Sequence, residues 1–441
     1  MRIGIEKKKS GDVILGIFLI FFAFLFVFQK VLTSNYDELA VMAVVPFICM
    51  ITHKRVVIYR YVFPVMLMFI CILLWSTSSH SSFIYYAVMV EMLIFIQPSD
   101  IAPDMISKGI KIYAVINAVS VIVERLFPGL MISYIRILFS AETAVGYSRS
   151  IEQGYYSGIN YQVAFTAAYI VFGIFMYLFD RRSKSNMLII AFLLTALFLT
   201  NKRAHLLYMI VSVLVVYYAS GSKNKRFKRA LEIFLLIFVF GVSVYFIASA
   251  FRNIKIFERI LSLFSVFEDE QNFNNITTGR AAIYDQLIDI FNHSNKTWGI
   301  GWQNFALYSV ARSISGGINQ GHNVFLQLLC ETGYVGLAVF VSLNLYYVIS
   351  TVKINNEAIR FYREEKQDEP LQSQLMRKCS MAFMVFYYLF WLSGNPLYDF
   401  TFVYSWILSI MMSRYVRYTM FQYRNSSQTK PDAVPKPENG A

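Results

Sequence analysis

Charge is what this chain has least of. Only 15% of its 441 residues are Asp, Glu, Lys or Arg, where a soluble domain carries about 25%. Too few charges remain to cover a water-facing surface, and 57% of the residues are hydrophobic and 17% aromatic. A soluble globular enzyme is excluded, and the expectation is an all-α polytopic membrane protein. Cysteine is scarce as well. Cys49, Cys71, Cys330 and Cys379 are far apart and each lies in or beside an apolar run, which offers neither a disulfide framework nor a metal site. No internal repeat of fixed period is evident. Lys and Arg number 40 against 27 Asp and Glu, for a net charge of +13. A nucleic-acid partner would require those cations to cluster on one soluble face, and they do not.

What the sequence has is long apolar runs. A spanning helix needs roughly 20 mostly apolar residues, since each rises about 1.5 Å through a hydrocarbon core about 30 Å thick. Twelve segments approach that requirement: 13–32, 38–51, 57–75, 83–97, 109–128, 159–180, 186–200, 204–220, 230–250, 323–350, 376–393 and 399–418. The first follows Lys7, Lys8 and Lys9 but is too long for a signal peptide and lacks a small-residue cleavage site. The chain thus divides into spans one to nine (1–250), a large extracytoplasmic loop (251–322), spans ten to twelve (323–424) and a polar, proline-bearing tail (425–441) expected to be disordered. With a cytoplasmic N-terminus, the inner segments hold 28 of the 40 basic residues, as the positive-inside rule requires. Both termini are therefore expected in the cytoplasm. The loop 251–322 is long enough to fold over the outer mouth of the helices, and its segment 278–291 has the pattern of an amphipathic helix.

Some residues break the pattern. Asn201, Lys202 and Arg203 join spans seven and eight on the side that should lack cations. Either they snorkel toward lipid phosphates, or they form an anion site in which a guanidinium grips phosphate in a bidentate way. Thr277, Thr278, Gly279 and Arg280 precede a helical pattern, so Arg280 falls near a helix N-terminus, where anions are attracted. Then come Trp298-Gly299-Ile300-Gly301-Trp302, Gly321-His322-Asn323 and Glu331-Thr332-Gly333. The paired glycines permit a tight turn or a close backbone approach. His322 sits where the loop enters span ten, either as a helix-start residue or as an imidazole placed to take a proton.

In this order, Arg203 after a span, Gly279-Arg280, Gly299-Ile300-Gly301-Trp302, His322-Asn323 and Glu331-Thr332-Gly333 resemble the O-antigen polymerase and O-antigen ligase family. The resemblance implies a multispanning glycosyltransferase that needs no metal and no cofactor, at work on the periplasmic or extracellular face of a bacterial cytoplasmic membrane. It implies undecaprenyl-diphosphate-linked oligosaccharides as donor and acceptor, a setting of membrane lipids, and a chain-length regulator protein as partner. It implies His322 as general base and Arg203 and Arg280 as diphosphate ligands, with Lys202 competing with Arg203 for that role and Arg149, in Gly146-Tyr147-Ser148-Arg149, as an addition. The chemistry suits these residue types, because guanidiniums stabilise a leaving diphosphate while an imidazole removes the acceptor proton. The expected activity is polymerisation of repeat units into a surface polysaccharide such as O-antigen or capsule. The alternatives are a ligase that moves finished polymer onto lipid A core or a protein, and a flippase for the lipid-linked unit. A flippase is expected to show repeats and charges near the bilayer midplane, and here only Glu91 is clearly central in a span.

Overall fold

The computed structural model describes residues 58–76, 82–138, 141–160, 162–180, 185–221, 223–250, 280–308, 321–398 and 400–428. The expected spans at 13–32 and 38–51, and the tail beyond Gln428, lie outside the described residues. Among the described residues the chain is helical, with no strand. In chain order the helices are α1 Phe63–Trp75, α2 Ser82–Phe95, α3 Pro103–Leu126, α4 Pro128–Leu138, α5 Ala141–Glu152, α6 Val163–Phe179, α7 Asn186–Leu199, α8 Arg203–Ala219 and α9 Lys223–Ala250. They continue with α10 Arg280–His293, the single turn α11 Phe305–Tyr308, α12 Val324–Glu364, α13 Leu371–Phe390 and α14 Phe400–Gln428.

Proline placement explains where several helices begin. Pro64, Pro103 and Pro128 occupy the first or second position of α1, α3 and α4, where a missing N–H costs nothing because that group has no intrahelical acceptor. Pro370 stands just ahead of α13. The helix interiors are left free of proline, which would remove an i to i−4 bond there.

By length and composition α3 and α12 are apolar enough to cross a membrane, and α1 with its preceding turn, α6, α7 and α8 are shorter apolar helices. Twelve spans are not established by this count, but the surface has the character of a membrane protein. Leu74 is 76% exposed and Leu188 78%, and exposed apolar side chains recur along α1, α3, α7 and α9. Such a belt would aggregate in water, whereas lipid solvates it without cost.

The core is built around α13, which packs against α14, α8 and α6, while α3 packs on α6 and α7. Phe172 of α6 stacks on Phe383 of α13 at 4.3 Å between ring centroids. The segment 129–158 forms α4 and α5, which pack on each other, and α10 lies against α12. The result is a set of helices whose ends near residues 126, 163, 199, 203, 324 and 390 gather at one end of the bundle.

Candidate functional site

A break in α12 organises that end. Gly333 has φ +64 within the helix, so the two hydrogen bonds that Tyr334 and Val335 would donate one turn back are missing. Tyr334 N donates to Lys296 O at 2.9 Å and Val335 N to Thr297 O at 3.3 Å. The carbonyls so released accept from the glycine turn: Ile300 N donates to Cys330 O at 3.1 Å and Gly301 N to Glu331 O at 2.8 Å. Every backbone group freed by the kink thus finds a partner, as burial in a membrane protein demands. The close approach explains both glycines. A Cβ on Gly299 would collide with the Glu331 backbone, and one on Gly333 with the Thr297 backbone.

The Glu331 side chain completes the interlock. It is fully buried and accepts from Gln303 N at 2.9 Å, Phe305 N at 3.3 Å and Gln327 Nε2 at 2.9 Å. Gln327 in turn accepts from Gly321 N at 2.8 Å and Asn395 Nδ2 at 2.5 Å. Trp302 is buried between Tyr398, at 4.5 Å, and Phe340, at 5.3 Å. These contacts fix the backbone on both sides of His322, since Gly321 is held by Gln327 and Val324 N donates to Trp391 O at 3.0 Å. His322 itself has φ +50, a left-handed conformation that is uncommon for a residue with a Cβ, and the Asn323 side chain caps α12 through Leu326 N at 3.1 Å.

Around this fixed point the structure gathers cations. Lys202, Arg280, His205 and His322 act on one another electrostatically: Arg280 weighs on Lys202, and both Arg280 and Lys202 weigh on the two histidines. Burial, reinforced by the Arg280 charge, pulls the Lys202 ammonium down to about 8. Burial, then Arg280 and Lys202, holds the His322 imidazole down to about 4, so it is neutral at physiological pH. Tyr208 and Tyr284 border the same group, with Tyr208 donating to Ser393 Oγ at 2.7 Å and Tyr284 reaching the His322 carbonyl at 3.4 Å.

The helix dipoles point the same way. Lys202 is the N-cap of α8 and offers no side-chain acceptor to its first amides, and Arg280 opens α10. A helix N-terminus carries a partial positive charge that disfavours cations. Two basic side chains therefore sit at helix ends of their own sign, and among the described residues no carboxylate forms an ion pair with either. What this arrangement can do chemically is hold an anion beside a neutral imidazole.

Of the residues singled out in the sequence, Lys202, Arg280 and His322 are brought together. Arg203 is exposed and shares a helix face with Leu207, one turn on and also exposed. Arg149 is exposed in the last turn of α5 and takes no part in the electrostatic group just described. His205, Tyr208, Tyr284 and Ser393 join the group without having been singled out. The signal for two of them was the phase of α8: Lys202, His205 and Tyr208 recur every third residue and lie on its buried side.

Residues 188–341 match the O-antigen ligase family. That match supports assigning the chain to the O-antigen polymerase and ligase family, and it runs from α7 into the first half of α12. It takes in Lys202, His205, Tyr208, Arg280, the glycine turn, His322 and Glu331. Arg149 and Ser393 lie beyond it. A search of curated proteins finds no match. Members of the O-antigen polymerase and ligase family are glycosyltransferase-like enzymes, so the cation cluster lies within the part of the chain that carries the family's signature.

Proposed function

We propose that this protein is a glycosyltransferase of the cell envelope that joins undecaprenyl-diphosphate-linked oligosaccharide units into a surface polysaccharide. The observation that carries the reading is the neutral His322 beside two cations, Lys202 and Arg280, that have no carboxylate partner among the described residues. A diphosphate placed there meets both cations and the α8 and α10 termini. The acceptor hydroxyl oxygen attacks the anomeric carbon, the bond from that carbon to the diphosphate oxygen breaks, and the hydroxyl proton passes to the His322 imidazole. Negative charge develops on the departing lipid diphosphate, where the cations stabilise it. The imidazolium then returns its proton to solvent.

In this proposal both termini are cytoplasmic and the cluster faces outward. A cysteine placed at Asn295, with the native cysteines replaced, should react with a membrane-impermeant reagent in cells whose outer surface is accessible, and protection would reverse the topology. The reaction itself is tested with purified protein in liposomes and a lipid-linked oligosaccharide as sole substrate. Growth of a ladder of lipid-linked products is expected. Movement of the donor across the bilayer with no new glycosidic bond would make the protein a flippase.

A second reading has the description of the matched family in its favour, namely transfer of finished glycan to a different acceptor as a ligase does. The two reactions share donor chemistry and differ only in the acceptor. Supplying lipid A core alongside the lipid-linked unit separates them, since a polymerase extends the ladder and a ligase caps the core.

A further inference from the structure

We infer that Tyr155 is a positioning residue for Lys202, its ring face holding the ammonium toward the anion site, and that a buried polar network anchored on Glu124 holds the ring in place. The inference rests on the reading that the cluster binds a diphosphate, and it brings in Tyr155 and Glu124, which lie outside the matched segment.

Lys202 presents a physical difficulty. Its ammonium is disfavoured by burial and by the Arg280 guanidinium, and the donor is absent between turnovers. Beside it lies the Tyr155 ring, whose centroid is 5.9 Å from Lys202 Nζ. An aromatic face stabilises a cation at this range.

Tyr155 is not on a loose loop. At the end of α5, Tyr155 N donates to Ser150 O at 2.9 Å and Gly154 N to Ile151 O at 2.8 Å, with Gly154 at φ +79. This pair of bonds is the Schellman closure of a helix, and it fixes the Tyr155 backbone. Three residues on, the chain is fixed again. Gly158 N donates to Glu124 Oε2 at 2.5 Å, Tyr147 Oη donates to Gly158 O at 3.1 Å, and Thr166 Oγ1 donates to Ser157 O at 2.5 Å. Gly158 has φ +59, and Ser120 would obstruct any Cβ there. Glu124 is fully buried. Withdrawing a carboxyl group from water is costly, and the segment that Glu124 holds carries the Tyr155 side chain onto the cation cluster. Among the described residues the charged and titratable groups around Lys202 are thus Tyr155 from this segment, Arg280 and Tyr284 from α10, His322 ahead of α12, and His205 and Tyr208 from α8.

The test measures binding of a short-chain polyprenyl diphosphate to purified protein from pH 6.5 to 9.5. Tyr155→Leu should weaken binding about two- to thirtyfold, the range of a cation–π contact. It should also move the alkaline loss of binding down by roughly half a pH unit, because the charged form of Lys202 loses its support. Tyr155→Phe keeps the ring face and should restore both quantities to within about twofold of wild type. Wild-type affinity and alkaline midpoint in Tyr155→Leu would overturn the inference, as would a Tyr155→Phe as defective as Tyr155→Leu. If Lys202→Ala leaves binding intact while Arg280→Ala weakens it, the anion site stands and this inference falls. If neither variant matters, the diphosphate reading itself falls.

Discussion

The two ends of the helix bundle treat their basic residues in opposite ways. At the end opposite the cluster, several cations meet a carboxylate. Arg377 meets Glu369 in a buried bidentate pair at 2.7 Å and adds Asn355 at 2.8 Å. Lys111 meets Asp180 at 2.6 Å, and Lys353 and Arg360 have carboxylates four residues on along α12. Arg414, which has no acid there, sits 4.3 Å from the Tyr61 ring centroid and donates to Ser350. At the other end Lys202 and Arg280 confront each other with no acid between them among the described residues. Matched charges stabilise a fold or set its orientation, while unmatched ones cost stability until something outside the chain arrives. On the proposed reading the matched cations serve architecture and the unmatched pair serves a ligand.

The largest effect expected from that contrast is at His322. His322→Ala should lower turnover about 100- to 10,000-fold, the range for a positioned general base, with donor affinity preserved. In the wild type, kcat/KM should hold level down through pH 5 and fall only near the imidazole value of about 4. In kcat the same limb should appear at higher pH, because a bound diphosphate favours the imidazolium. A mutant with near-normal turnover would reduce His322 to a helix-start residue, and a mutant that fails to bind donor would move it among the diphosphate ligands.

At the opposite end, Arg377→Met should strip Glu369 of its partner in a buried setting and destabilise the fold by about 3–5 kcal/mol. Thermal unfolding in detergent would register this, and turnover per folded molecule should not change. A loss of turnover at full stability would mean that the matched end also takes part in the reaction.

Next in size is Arg280→Ala, for which about a 100- to 1,000-fold loss of turnover is expected from removing one stabilising donor. Arg280→Lys should recover little, because a point charge cannot reproduce a bidentate grip. Arg203→Ala sharpens the comparison, since Arg203 is more exposed than Lys202. If it costs more than Lys202→Ala, the bound donor engages the more exposed of the two neighbouring cations.

How much of this was legible in advance varies by level. Helix positions followed from apolar runs to within a few residues where both ends lie at a change of polarity, as in α6, α7 and α8. At α12 and α14 the helices continue past the expected spans, to Glu364 and Gln428, because Lys, Arg, Glu and Gln end an apolar run without ending a helix. The helix expected at 278–291 is found at Arg280–His293, but nothing in the pattern of 129–158 announced α4 and α5. Motif order singled out Arg280 and His322, which the structure places in one electrostatic group with Lys202. It left Lys202 and Arg203 undivided, because adjacent residues differ only in helical phase, and burial shows Lys202 turned further inward than Arg203. The tie between the glycine turn and the Gly333 kink joins residues about 30 apart through backbone groups, which no side-chain pattern records.

The smallest effect expected is also the most direct test of the unmatched end. Lys202→Met should leave stability equal to the wild type or slightly above it at pH 7, gaining about 0.3–1 kcal/mol from removal of a cation at a helix N-terminus. The sign follows from proton binding. Lys202 has a value near 8 in the folded protein, below the ordinary lysine value of about 10.4, so between those limits the unfolded chain holds a proton that the folded chain has released. Stability contributed by this residue must then rise as pH climbs from about 8 to about 10.4 and stay flat below 8. The variant should lack that rise. Adding a polyprenyl diphosphate should reverse the ranking, because the ligand supplies the missing anion and stabilises the wild type more than Lys202→Met. Melting temperatures of both proteins in detergent, at pH 7 and pH 9.5 with and without the lipid, supply the measurement. A variant that melts well below the wild type at pH 7 without ligand would mean that Lys202 is matched after all, and the contrast between the two ends would be lost.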